Sequence, residues 1–361
     1  MKSTKKKNTN SDKIKSFALS QGFDLVGFSQ AAADPRAYKV YKNWLKKKFE
    51  ADMSYMSRTD AVEKRKSAAK LLKNAKTVIS LAVNYYHDQS PLPKNHGRIA
   101  RYAYGRDYHK ILTPKLKNIE KFIKENFTAG HRIPQTLSYV DTGPILERTF
   151  AVQAGLGFIG KNCCLITKEF GSWVFLAEIV TDLPLGSSRE DFFEPGEMPF
   201  PGSFPGKTFP NLKKYPSREA CASCTRCIAA CPTKALTIDP NTNQPTIDAR
   251  KCLSYLTIEH AHLNKPLSKE AKEAINKTRR IFGCDICQEA CPFSSPTHPN
   301  SKATTATHKE FLIKIAGDSL SLAEIAKIKT DKEFLKLFAG SPLMRAKKRG
   351  LKRNSRHITS P

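Results

Sequence analysis

Cys221-Ala222-Ser223-Cys224-Thr225-Arg226-Cys227-Ile228-Ala229-Ala230-Cys231-Pro232 decides how the rest of the chain is read. Three cysteines, each separated by two residues, can wrap one iron–sulfur cubane. A fourth, three residues on and followed by proline, points away toward a neighbouring cluster. A second run, Cys284-Asp285-Ile286-Cys287-Gln288-Glu289-Ala290-Cys291-Pro292, repeats the end of the first. On this spacing one [4Fe-4S] cluster takes Cys221, Cys224, Cys227 and Cys291. The other takes Cys284, Cys287 and Cys231, and Cys252 is left, by elimination, for its remaining iron. Disulfides suit small secreted domains and zinc prefers separated pairs, so both fit the triple run less well.

Around this stretch the composition is that of an ordinary soluble chain. It has 361 residues, 40% of them hydrophobic, enough for two domains, and no run approaches the roughly 20 apolar residues of a membrane span. Oxygen-sensitive clusters and an N-terminus without an apolar leader point to the cytoplasm and to no membrane partner. The net charge of +28, from 61 basic and 33 acidic side chains, attracts polyanions, with nucleic acid the default. A solubilising bias is the plainer reading of the same charge.

Residues 1–10 read as a polar, disordered basic arm. A helix is expected after Ser11 as N-cap, with Ile14, Phe17 and Ala18 on one face, then a short strand at Leu25 to Phe28. Arg36 to Phe49 reads as a helix with a Val40, Trp44 and Leu45 stripe. Thr77 to Tyr85 reads as a strand and Tyr108 to Asn126 as a long helix. A strand at Thr136 to Val140 runs into Asp141, followed by a helix at Ile145 to Ala154 and strands at Cys164 to Thr167 and Trp173 to Val180. This alternation gives an α/β or α+β domain over 11–182. A proline-rich connector fills 183–216 and the cysteine domain 217–296. Short helices with apolar residues at Leu320, Leu322, Ile325, Ile328 and at Phe334, Leu335, Leu337, Phe338 occupy 297–361. They end in a basic tail whose Arg345, Lys347, Lys348, Arg349, Lys352 and Arg353 are candidate nucleic-acid contacts, or a solvated tail.

Since a ferredoxin module only moves electrons, what receives them belongs in the first domain, and three stretches there carry chemistry. Arg101-Tyr102-Ala103-Tyr104-Gly105-Arg106-Asp107-Tyr108-His109 gathers charged and aromatic groups before the long helix, with Asp107 as a possible cap. In Val140-Asp141-Thr142-Gly143-Pro144-Ile145-Leu146-Glu147-Arg148 a strand end aims Asp141 into a cleft, unless it caps the next helix. In Gly155-Leu156-Gly157-Phe158-Ile159-Gly160-Lys161-Asn162 the glycines match a dinucleotide fingerprint. The segment lacks the required strand before and helix after, so they are read as permitting close approach to a bulky ligand. Cys163 and Cys164 fall outside the cluster spacing and read as small buried side chains.

With these residues in hand, the chain resembles the epoxyqueuosine reductases from its first helix to about Asn354. The resemblance rests on the three stretches above, both cysteine runs, Cys252-Leu253-Ser254-Tyr255-Leu256-Thr257-Ile258-Glu259 and Gly340-Ser341-Pro342. It implies an α+β chain with a nitroreductase-like cobalamin-binding domain, followed by a ferredoxin-like domain with two [4Fe-4S] clusters. The implied reaction is two-electron reduction of epoxyqueuosine to queuosine in the anticodon stem-loop of tRNA. A low-potential donor such as flavodoxin or ferredoxin would feed a monomeric enzyme. Asp141 is then expected as general acid, its pKa lifted from about 3.9 by burial beside the corrin. Arg101, Tyr102, Asp107, Tyr108, His109, Gly157, Gly160 and Lys161 would surround the cofactor. A corrinoid reductive dehalogenase and an electron-transfer ferredoxin with an RNA-binding module are the rival readings.

Overall fold

Thr77–Asn84 is the strand on which the N-terminal half is assembled, and every one of its residues is buried. A computed structural model describes residues 9–186, 221–260, 265–303 and 305–358. Thr77–Asn84 pairs antiparallel with Leu25–Gln30 on one side and with Val174–Thr181 on the other, and Thr136–Tyr139 adds to the far edge. A wholly antiparallel sheet with helices on its faces makes the domain α+β.

Alternation along these strands gives the sheet two different faces. Phe28, Ile79, Leu81, Val83, Ala177 and Ile179 meet the helices Asn10–Ser20 and Tyr108–Asn126 through Ile14, Ala18, Ile111, Leu112, Leu116, Ile119 and Ile123. Phe17 and Phe122 stack at 4.1 Å between those helices. The other face is covered by the short helix Glu147–Gln153, and Gly27 allows the approach. A Cβ there would run into the Ala154 carbonyl and the Leu156 side chain.

The elements expected from sequence form with shifted ends. The first helix starts earlier, because Thr9 rather than Ser11 is its N-cap, in a reciprocal capping box with Asp12. In Pro35–Lys46 Tyr41 is the buried residue, while Val40 stays exposed. The arm before Thr9 and the connector from 187 to 216 lie outside the described residues.

The second core joins a short stretch of the first domain to the C-terminal third of the chain. Ile99 and Ala103 join Leu253, Leu256, Ile275, Phe282, Ile325, Phe334, Phe338, Leu343 and Leu351 in one apolar cluster. A three-stranded sheet repeats the pattern: His96–Ile99 is its centre, with Arg280–Phe282 parallel on one side and Ser319–Ser321 antiparallel on the other. Leu335 and Leu337, read as packing residues, are exposed. Within the cysteine region Arg226–Ala230 packs on Ile286–Glu289, so the two cysteine runs lie side by side. No helix among the described residues is long and apolar enough to cross a membrane.

The basic segment at the C-terminus is a packed helix, Lys347–Ser355, rather than a solvated tail, and Leu351 and Asn354 are buried in it. Its cations serve as donors within the protein. Arg353 donates to the carbonyls of Leu256, His260 and Lys265, and Lys352 to those of Ala326 and Ile328. Lys348 binds the Lys329 carbonyl and lies 3.3 Å from Asp331, while Arg345 forms a bidentate pair with Glu259. Lys347 and Arg349 stand at the surface.

Candidate active site

Asp141 leaves the edge strand in the left-handed region, at φ 59°. The Thr142 amide donates to the Val140 carbonyl across it, closing a three-residue turn. This turn lifts the carboxyl clear of the sheet. Asp141 caps no helix, since the next one begins at Glu147 with Leu146 at its N-cap and no side-chain bond there. Its side chain is 58% exposed. The burial expected from the sequence is therefore not supplied by the chain itself.

The long helix brings three residues of the second stretch to this carboxyl. Asp107 caps the helix through the His109 amide and also accepts from His109 Nδ1 at 2.7 Å. The Tyr108 hydroxyl donates to Asp141 Oδ2 at 3.1 Å, and His109 Nε2 stands 3.8 Å from the same oxygen. His109 thus links two carboxylates. Burial alone would lower its pKa, yet the Asp107 hydrogen bond and the charges of Asp107 and Asp141 raise it above the ordinary value. Burial and the Asp141 charge also raise Tyr108, which keeps its phenol a donor. The Tyr108 ring is held by stacking on Phe175 at 4.2 Å and on His109 at 4.1 Å.

Other candidates fall elsewhere. The Arg101 guanidinium lies 4.9 Å above the Trp173 ring and pairs with Glu289 at 2.7 Å, while its amide binds Asp285. It ties the first domain to the second cysteine run. Tyr102 packs edge-on to Tyr108 and against Phe282. Gly157 and Gly160 lie in and beside the hairpin of Phe158–Ile159 with Leu165–Ile166, and the close approach they allow is to Ile166. Lys161 Nζ donates to the carbonyls of Ala222 and Cys224, which puts it on the first cysteine run. Arg148 donates to the Cys163 carbonyl.

Cys221, Cys224, Cys227 and Cys291 line a single recess with Lys161, Asn162, Ile166, Pro292 and Phe293. Four thiols converging on one recess are the donor set of a [4Fe-4S] cluster. Of the other four thiols, Cys284, Cys287 and Cys252 are raised by burial first, and the charge of Cys252 adds to Cys284 and Cys287, that of Cys231 to Cys252. Backbone amides meet these sulfurs, with Ala235 N donating to Cys231 at 3.2 Å and those of Ser254 and Tyr255 to Cys252. Amides directed at sulfur stabilise thiolate ligands, so both sets fit an iron–sulfur cluster. For a corrinoid, the observation that fits is at Asp141. Its carboxyl is open on one side, and the nearby His109 Nε2 is buried with no hydrogen-bond partner, a donor suited to the amide-rich rim of such a macrocycle.

One acid was passed over in the sequence. Glu178 lies in the strand Val174–Thr181, is 0% exposed, and neither of its oxygens has a hydrogen-bond partner. The signal was available: it is the one charged residue in the apolar run Val-Phe-Leu-Ala-Glu-Ile-Val-Thr.

Known proteins align with this chain along most of its length. The family model described as "Epoxyqueuosine reductase QueG, DUF1730" matches residues 65–142, and that of a 4Fe-4S double cluster binding domain matches 220–294. An epoxyqueuosine reductase of Cyclobacterium marinum is 36% identical over 343 residues, covering 94% of each chain. A crystal structure of an epoxyqueuosine reductase with an epoxyqueuosine-modified tyrosine tRNA stem loop has a TM-score of 0.73 at 26% identity, over 96% of this chain and 80% of that one. The Bacillus subtilis epoxyqueuosine reductase, solved with its aspartate catalytic loop swung out of the active site, has a TM-score of 0.72 at 26% identity, with the same coverage.

Proposed function

Because the chain belongs to the epoxyqueuosine reductase family, we propose that it reduces epoxyqueuosine to queuosine in tRNA, with Asp141 as the group that protonates the departing oxygen. The net change removes an epoxide oxygen as water, leaves a carbon–carbon double bond, and consumes two electrons and two protons. Cobalamin supplies the reducing chemistry at carbon when bound, and the two [4Fe-4S] clusters supply its low-potential electrons. The chain's own residues bind, orient and move protons.

The observation that carries this reading is the constellation at Asp141: an exposed carboxyl on a constrained turn, held by the Tyr108 hydroxyl and flanked by a His109 already paired to Asp107. Tyr108 fixes which carboxyl oxygen faces outward. His109, inclined to carry its proton, balances the negative charge of Asp141 after the transfer. A seated stem-loop covers the open side of the carboxyl and excludes water from it. Arg101 and Tyr102 hold the cluster module against this site, and Lys161 closes the first cluster's recess.

The tRNA backbone is met by the positive surface, including Lys347 and Arg349, with Arg345, Lys348, Lys352 and Arg353 shaping the helix that presents them. A flavodoxin or ferredoxin delivers electrons to a monomer in the cytoplasm. The deciding experiment is nucleoside analysis of tRNA incubated with the reduced holoenzyme. Queuosine should replace epoxyqueuosine, and epoxyqueuosine left intact beside a working control sinks the reading.

A further inference from the structure

The third sequence stretch ends in Gly160-Lys161-Asn162, and Asn162 has no part in the site described so far. Residues 160–164 form the turn of the hairpin between Phe158–Ile159 and Leu165–Ile166. The Gly160 amide closes it on the Cys164 carbonyl, and the Cys163 amide on the Gly160 carbonyl. Asn162 sits in the middle of this turn and is only 3% exposed. Its Oδ1 accepts from the Cys164 amide at 3.1 Å. A backbone N–H can be met only by the oxygen of a side-chain amide, so Nδ2 is the end left over. Gly160 makes room for this arrangement, since a Cβ there would lie 2.9 Å from Asn162 Oδ1.

Nδ2 is buried and has no hydrogen-bond partner among the described residues. An orphaned buried donor marks a place for an acceptor that the polypeptide does not itself provide. Asn162 lines the recess that holds Cys221, Cys224, Cys227 and Cys291. Of the other side chains there, Ile166, Pro292 and Phe293 carry no polar atom, and Lys161 can only donate. Sulfur is therefore the one acceptor that the side chains of the recess offer to Nδ2. The residue before Asn162 already reaches the same loop. The Lys161 amide meets the Cys221 sulfur, and Lys161 Nζ donates to the carbonyls of Ala222 at 2.6 Å and Cys224 at 3.0 Å.

We propose that Asn162 Nδ2 donates a hydrogen bond to a sulfur of the first [4Fe-4S] cluster and so raises that cluster's reduction potential. A cubane held by four thiolates carries net negative charge, and the charge grows when it takes up an electron. A donor held against its sulfur stabilises the reduced form more than the oxidised one. In a recess walled by Ile166, Pro292 and Phe293 that contact is not diluted by water, which makes it count for more than at the surface. The hairpin of the first domain thus does two things for the cysteine domain: Lys161 holds the first ligand loop in place, and Asn162 sets how readily the cluster in it accepts electrons. The proposal depends on the four thiols binding a cluster and not on the reaction at tRNA.

The test uses the full chain reconstituted with both clusters. Protein made with asparagine labelled at its side-chain nitrogen is reduced, and pulsed electron paramagnetic resonance should show that nitrogen magnetically coupled to a cluster. The coupling should be missing from Asn162→Leu, which keeps the size of the side chain and removes the donor. In a redox titration of Asn162→Leu one of the two cluster midpoints should move to more negative potential while the other stays. At a fixed potential that cluster should be about three- to tenfold less reduced, which for one electron is roughly 30–60 mV. Asn162→Gln, which keeps an amide donor, should lose the labelled-asparagine coupling and recover part of the shift. A residue that only capped the turn would give no coupling. No coupling in the wild type, its persistence in Asn162→Leu, or two unmoved midpoints overturns the proposal. Should Asn162→Leu fail to hold the first cluster, the label in Asn162→Gln decides: the coupling must vanish there, and its persistence overturns the proposal. If the wild-type holoenzyme leaves epoxyqueuosine intact, the functional reading fails while the coupling still decides the hydrogen bond.

Discussion

Asp141 is placed by a backbone conformation that non-glycine residues seldom adopt, and aspartate is among those that tolerate it. Asp141→Asn keeps the turn and the Tyr108 hydrogen bond but has no proton to give. It should bind the stem-loop like wild type and lose at least about 100-fold in turnover, checked by nucleoside analysis alongside a binding titration. His109 makes a prediction about stability. Its pKa in the folded protein lies above the ordinary 6.5 because of Asp107 and Asp141. The stabilisation it contributes is present below pH 6.5 and lost as pH rises through the raised value. Melting curves should show His109→Gln less stable than wild type at pH 6, with the gap narrowing above neutrality. The buried acid behaves in the opposite sense to a salt-bridged one. Glu178 stabilises the fold only while protonated, so Glu178→Gln should match wild type in melting temperature near pH 4 and exceed it by a few degrees at pH 8.

At the scale of elements, the C-terminal helix Lys347–Ser355 separates structural cations from available ones. Arg353 is half-buried, and burial lowers its pKa to about 10, while its guanidinium closes three backbone carbonyls. Arg353→Ala should cost about 1–3 kcal/mol by leaving those acceptors without a donor, measured by denaturant unfolding. Lys347→Gln should leave stability alone and reduce the salt dependence of stem-loop binding by about one phosphate contact. The sequence showed a cluster of like charges and two possible fates for it. Which cation had which fate depended on the loops that end beneath the helix.

Over the whole molecule, the two cysteine runs act as a unit with the first domain. Arg101, Lys161 and the His96–Ile99 strand cross from one to the other, so the clusters are held at a fixed place relative to Asp141. Cys252 is the thiol proposed to complete the second set. Cys252→Ala should retain about half of the iron after anaerobic reconstitution, read by iron and sulfide analysis, and a full complement would mean that another residue fills the position.

The double-cluster domain was legible in the chain because ligands to one cubane come largely from a tight local loop, and spacing along the sequence records that loop. The strand before Asp141 and the Asp107 cap were legible for the same reason, since each depends on a few consecutive residues, while the first helix takes Thr9 rather than the expected Ser11 as its N-cap. The environments of Lys161, Arg353 and Glu178 were not. Each is set by a partner far along the chain, whether a carbonyl of the first cysteine run, a loop end or the neighbouring strand. No periodicity carries that information. By itself the sequence determined the cofactor chemistry and the acid at the strand end. Only the tertiary structure decided which charges are bound within the protein and which carboxyl is enclosed without a partner, because burial and proximity through space, not order along the chain, set those energies.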